Sequence, residues 1–298
     1  MLNRSIRSGD LENEVEMKFD YEHLSADDNP AVIFRGIVGS RAYGTANAQS
    51  DTDLRGIFVV PSREYVRLTP PPKQVSDARN DRTYYSLLRF CELMAEANPT
   101  TLEMLFLPTD CEVKTTPAFE LLKRNRGIFI SQQAVDCHLG YAVSQIKKAR
   151  GCNKRVWNPW PEEPPRREDY ADVGAYQHAI KEHRQYWEWK CNRNVARWVQ
   201  QERGELDYDA KNMMHLTRLL FSGDSIVKNG EPIVRFEGEK LETLLSIRRG
   251  EWTFDEIMAH AEKIQAAIEA GKGRLPVESD KARIDALIAE VMKVAEVV

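Results

Sequence analysis

Apolar residues in the first third of the chain form short runs with the length of β-strands, and later in the chain they recur at helical spacing. The run 33–38 is apolar enough for a buried strand, and residues 51–60 and 81–86 have the composition of two further strands. Residues 1–30 are polar and acidic, and within them the weak alternation of residues 14–21 is compatible with either an edge strand or part of a helix. The chain is therefore predicted to form a small sheet before its helices.

Helical spacing begins directly after the third predicted strand. Residues 87–97 repeat apolar side chains at helical intervals, and Asn98 and Pro99 end that helix. Thr100 or Thr101 is expected to cap the next helix. Further helices are predicted over residues 117–125, 131–150, 170–203, 209–221, 239–249, 253–271 and 279–297.

This order of elements predicts an α+β fold. A small mixed β-sheet with helices is expected in residues 1 to about 115, and an all-helical part in residues 116–298. A chain of 298 residues is long enough for one large domain or two of ordinary size.

The composition narrows the class of protein. Hydrophobic residues make up 42% of the chain and charged residues 30%, which is typical of a globular protein and not of a disordered one. We expect no membrane span, because no apolar run reaches roughly 18 residues, and no secretory signal, because the start of the chain lacks an apolar core. Five cysteines without a CxxC pair favour reduced thiols in the cytoplasm. Since the net charge is −4, any contact with nucleic acid requires a local basic patch.

A candidate reaction centre lies in the stretch GSRAYGTANAQSDTD, residues 39–53. Gly39 and Ser40 follow a buried strand, and free backbone N–H groups at such a turn favour an anion such as the phosphates of a nucleotide. Asp51 and Asp53 are two residues apart, so on a strand they share a face and repel each other unless a cation lies between them. Carboxylate oxygens of this kind suit magnesium.

A third carboxylate is expected near the start of the third predicted strand. Asp81 begins that strand, and Asp77 in the preceding loop is the alternative. Such a carboxylate completes a two-metal site and accepts the proton of an attacking hydroxyl. The reaction that this set predicts is transfer of a nucleoside monophosphate with release of pyrophosphate. A solvated aspartate at the start of a strand is the structural alternative.

These residues resemble the signature of the DNA polymerase β-type nucleotidyltransferase superfamily. Within it, the chain is most similar to the RlaP-type nucleotidyltransferases, which are named for their association with RNA ligases. The stretches that carry this closer resemblance are GSRAYGTANAQSDTDLRGIFV, DRTYYSLLRF, NPTTLE, HLTRL and IRRG.

The resemblance implies a division of the chain and a set of metal ligands. Residues 1–115 are expected to form the catalytic nucleotidyltransferase domain, and residues 116–298 a helical domain that binds nucleotide and acceptor. Asp51, Asp53 and Asp81 are expected to be the catalytic residues and to bind Mg²⁺ or Mn²⁺, as two ions.

Several cationic and aromatic residues are candidates for contacts with the nucleotide. Arg55 is expected on the face of the carboxylates, where it either pairs with them or reaches a phosphate. Arg41 and Tyr43 either contact the nucleotide or only brace the turn. His215 and Arg218 lie one helical turn apart, and either contact substrate or are buried structural residues. The predicted nucleotide- and phosphate-binding residues are Gly39, Ser40, Arg41, Tyr43, Arg55, His215 and Arg218.

A basic stretch followed by tryptophans is the candidate surface for the acceptor. Five basic residues fall within residues 147–155, and Trp157 and Trp160 follow. Cations and aromatic rings suit the backbone and the bases of RNA. The alternative is a solvated helix end whose cations complement the helix dipole. The predicted acceptor-binding residues are Lys147, Lys148, Lys154 and Arg155.

The sequence thus predicts a cytoplasmic, metal-dependent nucleotidyltransferase. Its family resemblance implies an RNA acceptor, as in end repair or modification, and an association with an RNA ligase. The same chemistry on a protein side chain or a small molecule is the first alternative. A catalytically idle domain that binds nucleotide or a partner is the second, and the adjacent carboxylates argue against it because a binding domain needs no close like charges. The sequence does not identify the base of the nucleotide.

Overall fold

The computed structural model describes residues 19–151, 160–192 and 205–295, and these residues form the α+β fold that the sequence predicts. A five-stranded mixed sheet has the strand order β3-β4-β2-β1-β5. Strands β2 and β4 are parallel, and the other neighbouring strands are antiparallel. The strands are β1 (Val32–Val38), β2 (Asp53–Phe58), β3 (Gln74–Ser76), β4 (Arg82–Ser86) and β5 (Glu112–Thr115).

Helices follow the sheet and also interrupt it. A short helix lies between β1 and β2, two lie between β4 and β5, and the longer helices follow β5. The α-helices are α1 (Tyr21–Ser25), α2 (Ser40–Tyr43), α3 (Leu87–Ala95), α4 (Pro99–Met104), α5 (Pro117–Arg124), α6 (Gln132–Gly151), α7 (Val173–Asn192), α8 (Ala210–Asn229), α9 (Gly238–Arg249), α10 (Phe254–Gly271) and α11 (Lys281–Val294).

Strand boundaries differ from the prediction at the candidate site. Strand β2 begins at Asp53, and Asp51 lies in the preceding loop, so the two carboxylates do not share one strand. Strands β3 and β5 were not predicted from the sequence, because runs of three and four residues are too short to establish an alternation.

Helix ends also differ from the prediction. The side chain of Asn98 caps α4 by accepting hydrogen bonds from the N–H groups of Thr100 and Thr101, so the prediction of a threonine cap was wrong. Pro99 occupies the first turn, where its missing N–H has no cost. Helix α8 continues past residue 221 to Asn229, because packing overrides the weak helix propensity of the SGDS stretch. Of the helix predicted over 170–203, residues 193–203 lie outside the described part of the chain.

Two apolar clusters cover the two faces of the sheet. The larger one joins the sheet to helices from both parts of the chain, and within it the rings of Phe34 and Phe119 stack with centroids 3.8 Å apart. The smaller cluster packs Leu24 and Val32 against Phe58 and Tyr84. The division into domains near residue 115 stays a prediction, and the larger core runs across that position.

Helices α6 and α8 form the central pair of the helical part and run antiparallel. The N–H of Asp209, which caps α8, donates to the carbonyl of Ala149 near the end of α6. At the other end, a Cβ on Gly223 would lie 3.6 Å from the Cβ of His138. The C-terminal end of α6 therefore lies beside the first turn of α8. Among the described helices, none has the length and apolar content needed to cross a membrane.

Candidate active site

The turn after β1 brings backbone and carboxylate into direct contact. Gly39 has φ 70° and ψ −146°, a conformation that is essentially restricted to glycine, and it precedes the first residue of α2. A Cβ at this position would lie only 2.4 Å from Oδ2 of Asp53. Glycine is therefore required both by the backbone conformation and by the carboxylate packed against it. The first N–H groups of α2 have no partner within the helix and remain available to an anion.

Parallel pairing of β2 with β4 places Asp81 beside Asp53. The register pairs Leu54 with Arg82, so the residues just before this pair, Asp53 and Asp81, lie next to each other. The N–H of Leu54 donates to the carbonyl of Asp81 at 2.8 Å, and Nη1 of Arg55 donates to the same carbonyl at 2.9 Å. Arg55 thus fixes the backbone that carries Asp81.

Asp77, the alternative third carboxylate, stabilises the turn between β3 and β4. Its Oδ1 accepts a hydrogen bond from the N–H of Arg82 at 3.3 Å, and its carbonyl accepts one from the N–H of Asn80. Of the two candidates, Asp81 is the residue that the sheet register brings next to Asp53.

Neighbouring charges shift the pKa of the Asp53 carboxyl group in both directions. Burial raises the pKa of its carboxyl group, and repulsion from Asp81 and Asp51 raises the pKa further. Arg55 and Lys211 act in the opposite direction and lower this pKa. Three carboxylates and two cations therefore lie within electrostatic range of one another, although the carboxylates come from two loops and a strand.

This arrangement fits a cation that is bound together with a substrate. Within the described residues, no group of three or more His, Cys, Asp or Glu side chains is close enough to hold a metal by itself. Magnesium commonly takes one or two carboxylates and completes its shell with water and substrate phosphates. The half-buried, mutually repelling Asp53 and Asp81 match that binding mode, with the exposed Asp51 beside them. The metal ligands stay a prediction.

A buried ion pair lies against the other side of this turn. Nη1 of Arg218 donates to Oε1 of Glu103 at 2.5 Å, and the Tyr43 hydroxyl donates to Oε2 of Glu103 at 2.8 Å. The Arg218 guanidinium also lies over the Tyr43 ring, 4.0 Å from its centroid. Burial raises the pKa of Tyr43, so its hydroxyl stays protonated and remains a donor. Burial lowers the pKa of the adjacent His138, which stays neutral beside the pair.

A cavity of about 150 Å³ is lined by both Glu103 of the ion pair and Asp53. Gly39, Asp53 and Arg55 form one side of its lining, and Tyr43, Glu103 and Thr100 contribute to the rest. The Tyr43–Glu103–Arg218 network therefore supports the wall of the same cavity onto which Asp53 opens.

The helical part of the chain also holds the backbone of the turn. Nε of Arg235 donates to the carbonyl of Ala42 at 2.8 Å, and the N–H of Phe236 donates to the carbonyl of Tyr43 at 3.1 Å. Arg248 donates to the carbonyl of Thr45. These three bonds fix the backbone from α2 to Thr45, so the turn is positioned by residues far away in the sequence.

One face of α8 is directed at this region. Lys211, His215 and Arg218 recur at i, i+4 and i+7, and therefore share a face of the helix. Arg218 is buried in the ion pair with Glu103, His215 is half-buried, and Lys211 is exposed near Asp53. The sequence analysis assigned roles to His215 and Arg218, and their contact with nucleotide stays a prediction.

Four residues of this region were given no role at the site by the sequence analysis, although two of them lie in the stretches NPTTLE and IRRG: Glu103, Lys211, Arg235 and Arg248. For Lys211 a signal was available, because it extends the spacing of His215 and Arg218 by one turn. Glu103 is a lone charge in the apolar run LEMLFL, which indicates a buried partner without identifying it.

The remaining predicted residues are Arg41, beside the glycine turn, and the four basic residues of the predicted acceptor surface. Arg41 is exposed, and its Nη2 donates to the carbonyl of Ser50 at 3.0 Å, which braces the loop that leads to Asp51. Lys147 and Lys148 are exposed near the end of α6, which lies beside the first turn of α8 and therefore near Lys211. Lys154 and Arg155 lie outside the described residues.

Comparison with known proteins gives one match that covers most of the chain. The model of a family described as RlaP, RNA repair pathway DNA polymerase beta family, matches residues 12–290, a range that includes every predicted site residue. The chain is also 28% identical over 128 residues to an uncharacterized 38.9 kDa protein from the nrdC-mobD intergenic region of Enterobacteria phage T4. That alignment covers 39% of this chain and 38% of the phage protein. No solved structure matches the chain.

The contact between Gly39 and Asp53 leads to a first prediction. Gly39→Ala is expected to cost about 1–3 kcal/mol of unfolding free energy, because alanine is strained at this backbone conformation and its Cβ displaces the Asp53 carboxylate. Gly230→Ala is the matched control, since Gly230 has φ 75° and ψ 14° at the end of α8 and no atom within 4 Å of its added Cβ. Urea unfolding of both variants gives the comparison.

A double-mutant cycle separates the contact from the backbone strain. In an Asp53→Ala background, the cost of Gly39→Ala should fall by about 0.5 kcal/mol or more, because the clashing carboxylate is gone. Equal costs in the two backgrounds would contradict the assignment of this contact.

The buried ion pair leads to a second prediction. Glu103→Gln and Arg218→Met are each expected to destabilise the fold by about 3–5 kcal/mol, because each leaves one buried charge without its partner. Tyr43→Phe removes a single hydrogen bond and should cost about 1 kcal/mol. Arg249→Met, which breaks an exposed pair with Glu242, serves as the surface control and should have little effect. A cost at Arg218 no larger than that at Arg249, measured by urea unfolding, would refute the role of the ion pair.

Proposed function

Because the chain belongs to the RlaP family of RNA repair pathway polymerase-β-like proteins, we propose that it transfers a nucleoside monophosphate from a nucleoside triphosphate to RNA. The family role is nucleotidyl transfer in an RNA repair pathway. The observation that carries the proposal is the placement of Asp53 and Asp81 side by side, with Asp53 packed against the glycine turn.

In this proposal each part of the site has its own task. Asp51, Asp53 and Asp81 would hold two divalent cations, Mg²⁺ or Mn²⁺, and Asp81 would also accept the proton of the attacking hydroxyl. When bound, the cations would clamp the attacking and leaving oxygens and stabilise the charge on pyrophosphate. The N–H groups at Gly39 and Ser40 bind phosphate oxygens, and Arg41 and His215 lie at the rim to contact the nucleotide.

Arg55 has a supporting task. Its Nη1 donates to the carbonyls of Leu54 and Asp81, both at 2.9 Å, while its charge lowers the pKa of Asp53. The charge of Arg55 therefore favours the ionised form of Asp53, and its hydrogen bond holds Asp81 in register with Asp53; both effects favour cation binding.

The RNA acceptor is proposed to approach along the end of α6. Lys147 and Lys148 are exposed there, near the end of α6 that lies next to the first turn of α8. Cations at the mouth of a reaction site attract the RNA backbone. RNA bound here would present its terminal hydroxyl toward Asp81, and an RNA ligase that seals the repaired end is the expected functional partner.

A labelling experiment tests the reaction. Each labelled nucleoside triphosphate is offered with Mg²⁺ to bulk RNA, to tRNA and to a protein extract, and we expect label to enter RNA. Asp51→Ala combined with Asp53→Ala should reduce incorporation by about 10³-fold or more, because the metal ligands are lost. Chelation of the divalent cations should have the same effect.

The controls distinguish the alternatives. Asp81→Asn should abolish transfer, whereas Asp77→Asn should retain most of it. Label in protein with none in RNA would refute the RNA acceptor, and equal activity of Asp81→Asn and wild type would refute the role of Asp81. Failure of every triphosphate to bind or react would favour an idle domain.

A separate prediction concerns the acceptor surface. Lys147→Gln with Lys148→Gln is expected to raise the KM for RNA and leave the KM for nucleotide unchanged. The slope of log Kd for RNA against log salt should also fall by roughly 0.7 for each lost phosphate contact. Lys281→Gln with Lys293→Gln, on the exposed face of α11, is the matched control. An unchanged salt slope would exclude this end of α6 from RNA binding.

A further inference from the structure

The segment that joins α8 to α9 lies directly against the glycine turn. Nε of Arg235 donates to the carbonyl of Ala42 at 2.8 Å, and the N–H of Phe236 donates to the carbonyl of Tyr43 at 3.1 Å. Both bonds end on backbone carbonyls, so they hold the path of the chain through α2.

The same segment packs closely on the end of α2 and on the cavity beside the site. Gly44 ends α2 with φ 79°, and a Cβ added there would lie 3.1 Å from the carbonyl oxygen of Phe236 and 3.3 Å from Cδ of Arg235. Val234 is 3% exposed and lines the cavity that Asp53 also lines. Three consecutive residues of the joining segment therefore contact the turn or its cavity.

Arg235 is itself held by partners from the sheet part. Its Nη2 donates to both carboxylate oxygens of Asp110, at 3.1 and 3.0 Å, and to Sγ of Cys111 at 3.2 Å. The rigid guanidinium thus joins Asp110 on one side to the Ala42 carbonyl on the other. The side chain of Arg235 is 30% exposed and that of Asp110 is 65% exposed, so loss of this surface pair should cost little stability.

We propose that Arg235 is a positioning residue for nucleotidyl transfer, because it holds the glycine turn against the Asp53 carboxylate. This inference rests on the function proposed above. The N–H of Tyr43 donates to the carbonyl of Gly39 at 3.0 Å, so a shift of α2 is passed on to Gly39. Gly39 packs on Oδ2 of Asp53, and the position of the turn therefore limits where this carboxylate lies.

Direct binding of a phosphate is the other role that an arginine beside the site could have. Two of the three side-chain nitrogens of Arg235 already donate to protein acceptors, and Asp110 neutralises its charge. These contacts favour positioning. The two roles predict opposite effects of removing Asp110, which would loosen a positioning arginine but release a phosphate-binding one.

The activity test uses the labelling reaction with full-length variants. Arg235→Met is expected to lower kcat about 10- to 100-fold, the cost of a small displacement in a reaction centre, and to leave the KM for RNA unchanged. The Mg²⁺ concentration for half-maximal rate should rise, which a loss of folded protein alone would not cause. Arg235→Lys should restore part of the rate, because it keeps a donor for the Ala42 carbonyl.

A double-mutant cycle tests the link to Asp110. Asp110→Ala should lower kcat by less than Arg235→Met does, and it should add nothing in the Arg235→Met background, because Asp110 acts through Arg235. A kcat for Asp110→Ala equal to or above that of the wild type would contradict the positioning role.

Arg126→Met is the matched control. Arg126 also donates to a backbone carbonyl, that of Leu105 at 3.2 Å, and to the carboxylate of Glu231 at 3.2 Å, and its side chain is 34% exposed. This variant should transfer nucleotide as the wild type does. Hydrogen exchange of residues 40–45, measured by mass spectrometry without substrate, should be faster in Arg235→Met than in Arg126→Met.

The outcomes separate this inference from the proposed function. Faster exchange with an unchanged kcat, or unchanged exchange, would overturn the inference and leave the proposed function standing. Equal losses of kcat in Arg126→Met and Arg235→Met would also overturn it. Failure of the wild type to transfer any nucleotide would overturn both.

Discussion

The salt bridge between Arg218 and Glu103 joins parts of the chain that are 115 residues apart, and the geometry of the site depends on it. Glu103 receives the Arg218 guanidinium on one oxygen and the Tyr43 hydroxyl on the other, so both carboxylate oxygens accept a hydrogen bond. Burial of these charges is unfavourable unless every partner is present. The interaction therefore selects a single arrangement of α8, α4 and α2, and α2 is the helix that follows the glycine turn.

Rigidity at this turn matters because its neighbour is a cluster of like charges. Gly39 packs directly on the Asp53 carboxylate, and Asp81 is held beside it by strand register and by Arg55. Carboxylates that repel each other would turn away from one another in a flexible loop. Here the backbone of the turn is fixed by the Arg218–Glu103 ion pair, which it contacts through Tyr43. Hydrogen bonds from the side chains of Arg235 and Arg248 to backbone carbonyls fix it as well. The helical part thus stabilises a site whose carboxylates all belong to the sheet part.

Local patterns predicted much of this arrangement. The buried strand before Gly39, a strand that includes Asp53 and the helices after residue 117 follow from apolar spacing and turn residues. The α+β class and the family were predicted correctly as well. Strands β3 and β5 were missed because they are stabilised by their neighbours and not by their own alternation.

Long-range partners were not predictable in the same way. Nothing in LEMLFL identifies Arg218 as the partner of Glu103, because a pair so far apart in sequence has no local periodicity. Arg235 and Arg248 bond to backbone carbonyls, which every residue has, so their targets have no sequence signal at all. Asn98 was read as the end of one helix although its side chain begins the next. The metal ligands and substrate contacts remain predictions from motif and placement.

The charges at the site also constrain the order of binding in the proposed reaction. Three carboxylates, Asp51, Asp53 and Asp81, face two cations, Arg55 and Lys211, so the side chains around Asp53 carry an excess of negative charge. A bare triphosphate would be repelled by that excess, and burial of Asp53 strengthens the repulsion by lowering the local dielectric. A triphosphate that arrives with a divalent cation reverses the balance and brings phosphate oxygens to complete the shell. Among the described residues, these carboxylates do not form a group of three that is close enough to hold a metal by itself. Carboxylates packed closely enough to hold a metal alone would repel each other more strongly, so in the proposed reaction the final ligands would come from the substrate.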